Sequence, residues 1–198
     1  MKKSIILTGL LIIASALPSF AAGPYVGASG GVSFIHDNDV KVTGVGTATA
    51  QYKTGYGVDI QAGYNFEPVR VEFEFGYKNA DMDKLTALGR SASVKDTDVT
   101  IMSYMVNGLF DIKNSSPFTP FIGAGIGILN GELKSSGDKD DDTVFGYQFK
   151  VGGAYALSKN VDLNLYYKFQ GAASDFSKNG VSFSYTSSNI YGGLRYNF

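Results

Sequence analysis

The feature that most restricts what this chain can fold into is an alternation of apolar and polar residues that recurs about eight times between Pro24 and Phe198. It is sharpest from Val161 to Gln170. There Val161, Leu163, Leu165, Tyr167 and Phe169 share one face, and Asp162, Asn164, Tyr166, Lys168 and Gln170 share the other. A period of two belongs to a β-strand, whose successive side chains point to opposite sides, whereas 3.6 residues per turn would mix the two sets. Val71, Phe73, Phe75 and Tyr77 alternate in the same way with Arg70, Glu72, Glu74 and Lys78. So do Tyr56 to Phe66 and Phe145 to Tyr155, while Tyr25–Ile35, Val99–Ile112, Phe118–Leu129 and Ser188–Phe198 show the pattern more weakly. A composition of 25 Gly, 13 Tyr and 14 Phe suits strands, bulges and tight turns.

The links between these segments alternate in length. Glu67-Pro68, Lys113–Pro117 and Ser158–Asn160 are short and carry turn residues. The other four, His36–Lys53, Asn79–Asp96, Asn130–Thr143 and Gly171–Ser187, are long and rich in Ser, Thr, Asp, Lys and Gly. Short turns at one end and long loops at the other predict a transmembrane barrel with periplasmic turns and four outer loops, and an even strand number puts both termini in the periplasm.

A soluble barrel also alternates, so the sign of the pattern has to be decided. An eight-stranded barrel has an interior just wide enough for side chains, and the Phe, Tyr, Leu and Ile of the apolar faces would crowd it. Turned outward, they form a lipid-facing band. The lumen then receives Arg70, Lys78, Lys150, Lys168 and Arg195 beside Asp59, Glu72, Glu74 and Asp162. Opposite charges that share a low-dielectric interior cost far less than isolated ones. A salt-bridged plug is the expected use of this set, with a narrow ion path through rearranging pairs as the alternative. Aromatics near strand ends, namely Tyr25, Tyr56, Phe66, Tyr77, Phe118, Tyr155 and Phe169, are assigned to interfacial girdles.

The amino terminus fits export. Lys2 and Lys3 precede an apolar run from Ile5 to Leu17, and Ser19 and Ala21 are small residues two apart. This reads as a signal peptide of residues 1–21, cut after Ala21 in preference to Ala22, leaving 22–198 as one barrel domain. A formal net charge of −1 gives no footprint for nucleic acid. The absence of cysteine removes disulfides and a lipid-anchor site, so stability must come from the fold.

The last strand carries the most specific signal, with Ile190, Leu194, Tyr196 and Phe198 on its outward face. Together with the leader, the opening Pro24-Tyr25-Val26-Gly27-Ala28-Ser29-Gly30-Gly31 and Pro120-Phe121-Ile122-Gly123-Ala124-Gly125-Ile126-Gly127, this ending resembles the small outer-membrane β-barrel family. That family includes opacity-type surface antigens and the barrel domain of outer membrane protein A. The resemblance spans the whole of 22–198, and no peptidoglycan-binding domain follows. It implies that Leu194, Tyr196 and Phe198 are read by the outer-membrane assembly machinery.

Other motifs are weaker. His36 is the single histidine, and some eight-stranded barrels modify lipid A with a His, a Ser and an acid, yet no serine here stands in a recognisable motif. Asp138-Lys139-Asp140-Asp141-Asp142 lacks the glycine and terminal Glu of a calcium loop and reads as a solvated acidic stretch. Gly123, Gly125 and Gly127 fall inside a strand, where they give packing space and not a nucleotide-binding turn. Asn114-Ser115-Ser116 is a formal glycosylation sequon in a short turn and is discounted.

The expectation is an all-β, eight-stranded antiparallel barrel in the Gram-negative outer membrane, without enzymatic activity, metal or cofactor. Its expected partners are outer-membrane lipid and lipopolysaccharide, the assembly machinery, periplasmic chaperones and a host or envelope partner met by the loops. A narrow passive pore is the second function, a lipid A-modifying enzyme the third, and a soluble lipocalin-like carrier the rival fold. Phe198→Asp should lower the yield of assembled barrel in the outer membrane while export continues, as read by membrane fractionation and heat-modifiable gel migration; an unchanged yield would rule out a role for the terminal aromatic.

Overall fold

The computed structural model describes residues 22–42, 46–87, 90–93, 97–135, 138–178 and 181–198. The leader expected over residues 1–21 lies outside the described residues. Every regular element among those described is a strand: β1 (Gly23–Ile35), β2 (Asn38–Val42), β3 (Gly46–Tyr52), β4 (Gly55–Asn65), β5 (Val69–Ala87), β6 (Arg90–Ser93), β7 (Thr97–Asp111), β8 (Phe118–Ser135), β9 (Asp138–Ala156), β10 (Val161–Ala172), β11 (Phe176–Lys178), β12 (Val181–Phe183) and β13 (Thr186–Asn197).

Eight of these close a ring. The order runs β5-β4-β1-β13-β10-β9-β8-β7, and β7 pairs back onto β5, with every neighbour antiparallel. The first and last strands of the described chain are zipped from Tyr25↔Asn197 to Ile35↔Ser187. Closure leaves no open edge within the ring, which is the only way a sheet can sit in hydrocarbon.

The faces are inverted relative to a soluble barrel. Leu165 and Ile60 on the outer wall are 64% and 62% exposed, whereas Glu74 and Lys168 inside are 0% exposed. An apolar outer wall over a charged interior is stable only where the surrounding solvent is apolar. Tyr56, Phe66, Phe118 and Tyr155 stand exposed on the outer wall at strand ends, as a girdle requires. Tyr25 does not belong with them. It points into the lumen and is buried, with its ring against Gly63, where an added Cβ would meet Tyr25 Cζ at 2.6 Å. Its hydroxyl donates to Glu72 Oε2 at 2.8 Å. Tyr25 shares its parity with Gly27, Ser29 and Gly31, so the inward face of β1 has room for a large ring.

The short connections are 66–68, 112–117 and 157–160. Asn114 serves the second as a local cap, donating from Nδ2 to the Phe118 carbonyl at 2.9 Å and accepting from the Ser116 amide at 2.8 Å. Ser158 Oγ accepts from the Val161 amide at 3.1 Å in the third. Lys113 and Glu67 pair at 2.5 Å between the first two turns.

At the other end the long links contain more regular structure than their polar composition suggests. A second sheet stands beyond the ring. In it β11, β12, β2 and β3 follow in order, and β3 and β6 flank the far part of β5. The β8–β9 hairpin continues its ladder from Phe118↔Tyr155 to Ser135↔Asp138.

A charge placed on the outer wall tests the inversion. Leu165→Arg should cost about 2–4 kcal/mol in unfolding from lipid vesicles, followed by gel shift against denaturant. No loss of stability would mean that Leu165 does not face hydrocarbon.

Candidate functional site

Alternate residues of every ring strand point inward, and their polar groups meet in layers. At the short-turn end Arg70 grips Asp111 with a forked contact, Nε to Oδ2 at 2.9 Å and Nη2 to Oδ1 at 2.8 Å. Its guanidinium lies 5.0 Å from the centre of the Phe121 ring. Arg195 holds Asp162, its register partner on β10, through Nε at 3.0 Å and Nη2 at 2.7 Å, and Asn197 Nδ2 adds a third donor at 2.8 Å. Forked guanidinium contacts fix geometry as well as neutralising charge.

Deeper in, one chain of contacts links five charges. Lys150 donates to Glu72 at 2.7 Å and also to Glu74. Lys168 donates to Glu74 at 3.1 Å and to Asp59 at 2.5 Å. Neutral groups complete the shell: Gln148 Nε2 donates to Glu74 and to Asn107, Asn107 Nδ2 to Glu72, and Tyr166 to Asp59. Lys168 also stands 4.7 Å from the centre of the Tyr191 ring. The ring of Tyr191 fits because Gly31 and Gly57 leave its path clear; a Cβ on Gly57 would meet the Tyr191 hydroxyl at 1.9 Å. Nearest the long-loop end, Lys78 donates to Gln170 and to the Tyr185 hydroxyl. Lys78 thus meets neutral groups, while the other four lumen cations meet carboxylates.

The set read from the sequence omitted Asp111, whose inclusion gives five acidic and five basic lumen side chains among the described residues. It also gave no sign of the apolar cap above the charges. There Ile35, Ala80, Val99, Ile101, Met105, Leu129, Val144, Phe176 and Tyr185 form one buried cluster. Phe176 belongs to β11 in the fourth long link, yet it lies over Gly131 of β8, 3.0 Å from where a Cβ would stand. The Ala173 amide donates to the Phe145 carbonyl, and the Ser177 amide to Asp142 Oδ2, both at 2.8 Å, holding this link across the mouth. Tyr52 packs against the same cluster. Burial first, and then the Asp37 carboxylate, push its phenol up to about 12.

Among the charges, bordered by Glu72 and Lys150 as well as by Arg195, a cavity of about 30 Å³ also meets Ser29, Asn164 and Tyr166. Asn164 Oδ1 and Arg195 Nη1 have no hydrogen-bond partner among the described residues. An acceptor and a donor facing one space call for water, and the volume has room for about two molecules.

The glycines of β8 do what their place in a strand implies: Cβ atoms at Gly123, Gly125 and Gly127 would strike Leu109, Asn107 and Met105, which lie across them. In the acidic stretch, Asp142 accepts backbone amides from Thr143 and Ser177. The side chains of Asp138, Lys139, Asp140 and Asp141 lie outside the described residues. His36 sits on the outer wall, with Nε2 3.0 Å from Ser188 Oγ and Nδ1 3.3 Å from Thr186 Oγ1. An acyl-transfer triad requires a carboxylate where Thr186 stands. Leu194, Tyr196 and Phe198 are all exposed on that wall, the last two rings in edge contact at 5.0 Å.

Removing one member of a buried pair leaves its partner charged and unmatched. Lys168→Met should therefore destabilise the barrel by about 3–5 kcal/mol. Adding Asp59→Asn should recover at least about 1 kcal/mol of that loss. Additive losses in vesicle unfolding would deny the coupling.

Comparison with known proteins agrees with this architecture. Outer membrane protein PagN of Salmonella typhimurium is 27% identical over 199 residues, covering 86% of this chain and 83% of PagN. Putative adhesin RC1281 of Rickettsia conorii is 29% identical over 169 residues, covering 72% of this chain and 68% of that protein. The crystal structure of Neisserial surface protein A shares the fold with a TM-score of 0.62 at 22% identity, over 89% of this chain and 99% of that one. Residues 5–198 match the outer membrane protein beta-barrel domain, and the chain belongs to that family, as an integral barrel of the Gram-negative outer membrane.

Proposed function

We propose that this barrel is a non-enzymatic surface protein that uses its long hairpins to contact a host cell or another envelope component. The observation that carries the reading is the filled lumen. Ion pairs occupy its length, and the Phe176–Tyr185 cluster lies across its long-loop end. The interior is spent on holding the fold, so specificity belongs to the hairpins that the rigid ring displays. The adhesin name carried by a relative points the same way. A passive pore is the weaker reading, because conduction would require the buried pairs to separate.

In this reading residues 1–21 are a leader removed on export, the short turns and both ends of the mature chain face the periplasm, and the long hairpins face outward. Periplasmic chaperones escort the unfolded chain. Leu194, Tyr196 and Phe198 then present the outward aromatic strand to the assembly machinery.

Display of the barrel on a non-adherent Gram-negative strain provides the test. Attachment to cultured host cells should rise, and should fall back when the 36–53 or 171–187 link is replaced by a short turn. Attachment unchanged by shortening each of the four links in turn, at equal barrel levels, would sink the proposal.

A further inference from the structure

The outer wall is apolar over most of its height and turns polar near the long-loop end, where Asn79 meets Thr100, Asn130 meets Thr143 and a further cluster gathers around Ser188. Phe34 of β1, Ser188 of β13 and Phe169 of β10 form one row across three paired strands. His36 and Thr186 stand a step above, linked by a backbone bond of 3.0 Å. Tyr167 stands a step below, and its hydroxyl reaches up to Ser188 Oγ at 2.8 Å, while His36 reaches down to the same oxygen at 3.0 Å. The imidazole lies 6.2 Å from the Phe169 ring. Ser188 is thus a polar point framed by aromatic residues, Phe34 and Phe169 beside it in the row and Tyr167 below.

Hydrocarbon cannot serve these groups. A hydroxyl offers one donor and two acceptor sites, so three hydroxyls meeting one imidazole keep unused capacity of both kinds. Their level, where the ring gives way to polar hairpins, is that of lipid headgroups, on the orientation proposed above. A sugar ring matches the patch, since its apolar face stacks on aromatic rings while its hydroxyl and amide groups both donate and accept. A phospholipid phosphate offers acceptors alone.

We infer that the His36–Ser188–Tyr167 patch is a binding site for the amino-sugar headgroup of an outer-leaflet glycolipid, lipid A. Glycolipid bound there would brace β1, β13 and β10 at the level where the hairpins begin. The site rests on the outward orientation of the hairpins and not on adhesion, so a failed attachment assay leaves it standing.

The test is retention of lipid A by the full barrel, transferred from vesicles of phosphatidylethanolamine with lipid A into mild detergent and read by native mass spectrometry. Wild-type protein should keep lipid A in preference to phospholipid. Ser188→Ala and Tyr167→Phe, on different strands, should each lower retention about tenfold, the scale of one or two lost hydrogen bonds. Ser188→Thr, which keeps the hydroxyl, should retain it, as should Tyr104→Phe on β7. Heat-modifiable migration confirms that each variant is folded. Lipid A stripped of its phosphates should be held as well as the intact molecule. Equal retention by wild type and both patch variants, or loss of binding when the phosphates are removed, would overturn the site.

Discussion

A lipid bilayer offers backbone amides and carbonyls nothing to bond with, so a strand can cross it only if both of its edges are paired. The β5–β7 ladder from Val69↔Phe110 to Asp81↔Asp98 is where the ring meets that demand. Once it forms, alternate side chains are committed to lipid or lumen, and a one-residue slip of β5 or β10 would carry Glu74 or Lys168 into hydrocarbon. The charges inside therefore do more than fill space. They make a wrong register of the strands that carry them expensive, because the residue displaced outward would be an ion.

That role explains why the lumen is paired so thoroughly. Lys150 and Lys168 each touch two carboxylates, and Glu74 accepts from both lysines and from Gln148. An interior ion pair is weak as a source of net stability, since desolvation opposes the attraction. In an eight-stranded ring an apolar interior is excluded for another reason: a chain apolar on both faces would lose the alternation that tells lipid side from lumen side. Polar contents keep the two apart.

How much of this could be read from residues alone depended on contrast between the two faces. In Val161–Gln170 and Val69–Lys78 the faces differ sharply, and the lumen ions on them, Asp162, Lys168, Arg70, Glu72, Glu74 and Lys78, were legible. Arg195 and Asp162 are even partners in register. In β7 the contrast fails, because Val99, Ile101, Met105 and Leu109 point inward while Tyr104, Val106 and Phe110 point outward. Asp111, at the end of that dim strand, was missed for this reason. Tyr25 was misassigned because an aromatic near a strand end suits a girdle, and only the register that sets it against Gly63 reveals a lumen position. The outer sheet escaped notice because Gly46–Tyr52 and its neighbours are small and polar on both faces. Phe176 and Tyr185 lie in a link that is mostly polar, and their partners on β7 and β8 lie far away along the chain.

The same cluster ties the parts of the molecule together. Phe176 and Tyr185 stand at the base of the fourth link, at the start of β11 and just after β12, and they pack on residues of β1, β5, β7, β8 and β9 inside the ring's mouth. Tyr185 also meets Lys78, the lumen cation nearest the long-loop end, and Ser187 at 2.9 Å. The fourth hairpin is in consequence anchored by apolar burial from within, while the first and second are anchored through β3 and β6 on the extended β5. Two anchoring modes hold the displayed edges on a ring whose own geometry is fixed by closure. Sequence change in the long links away from these anchors can then leave the register, the ion pairs and the lipid-facing wall undisturbed.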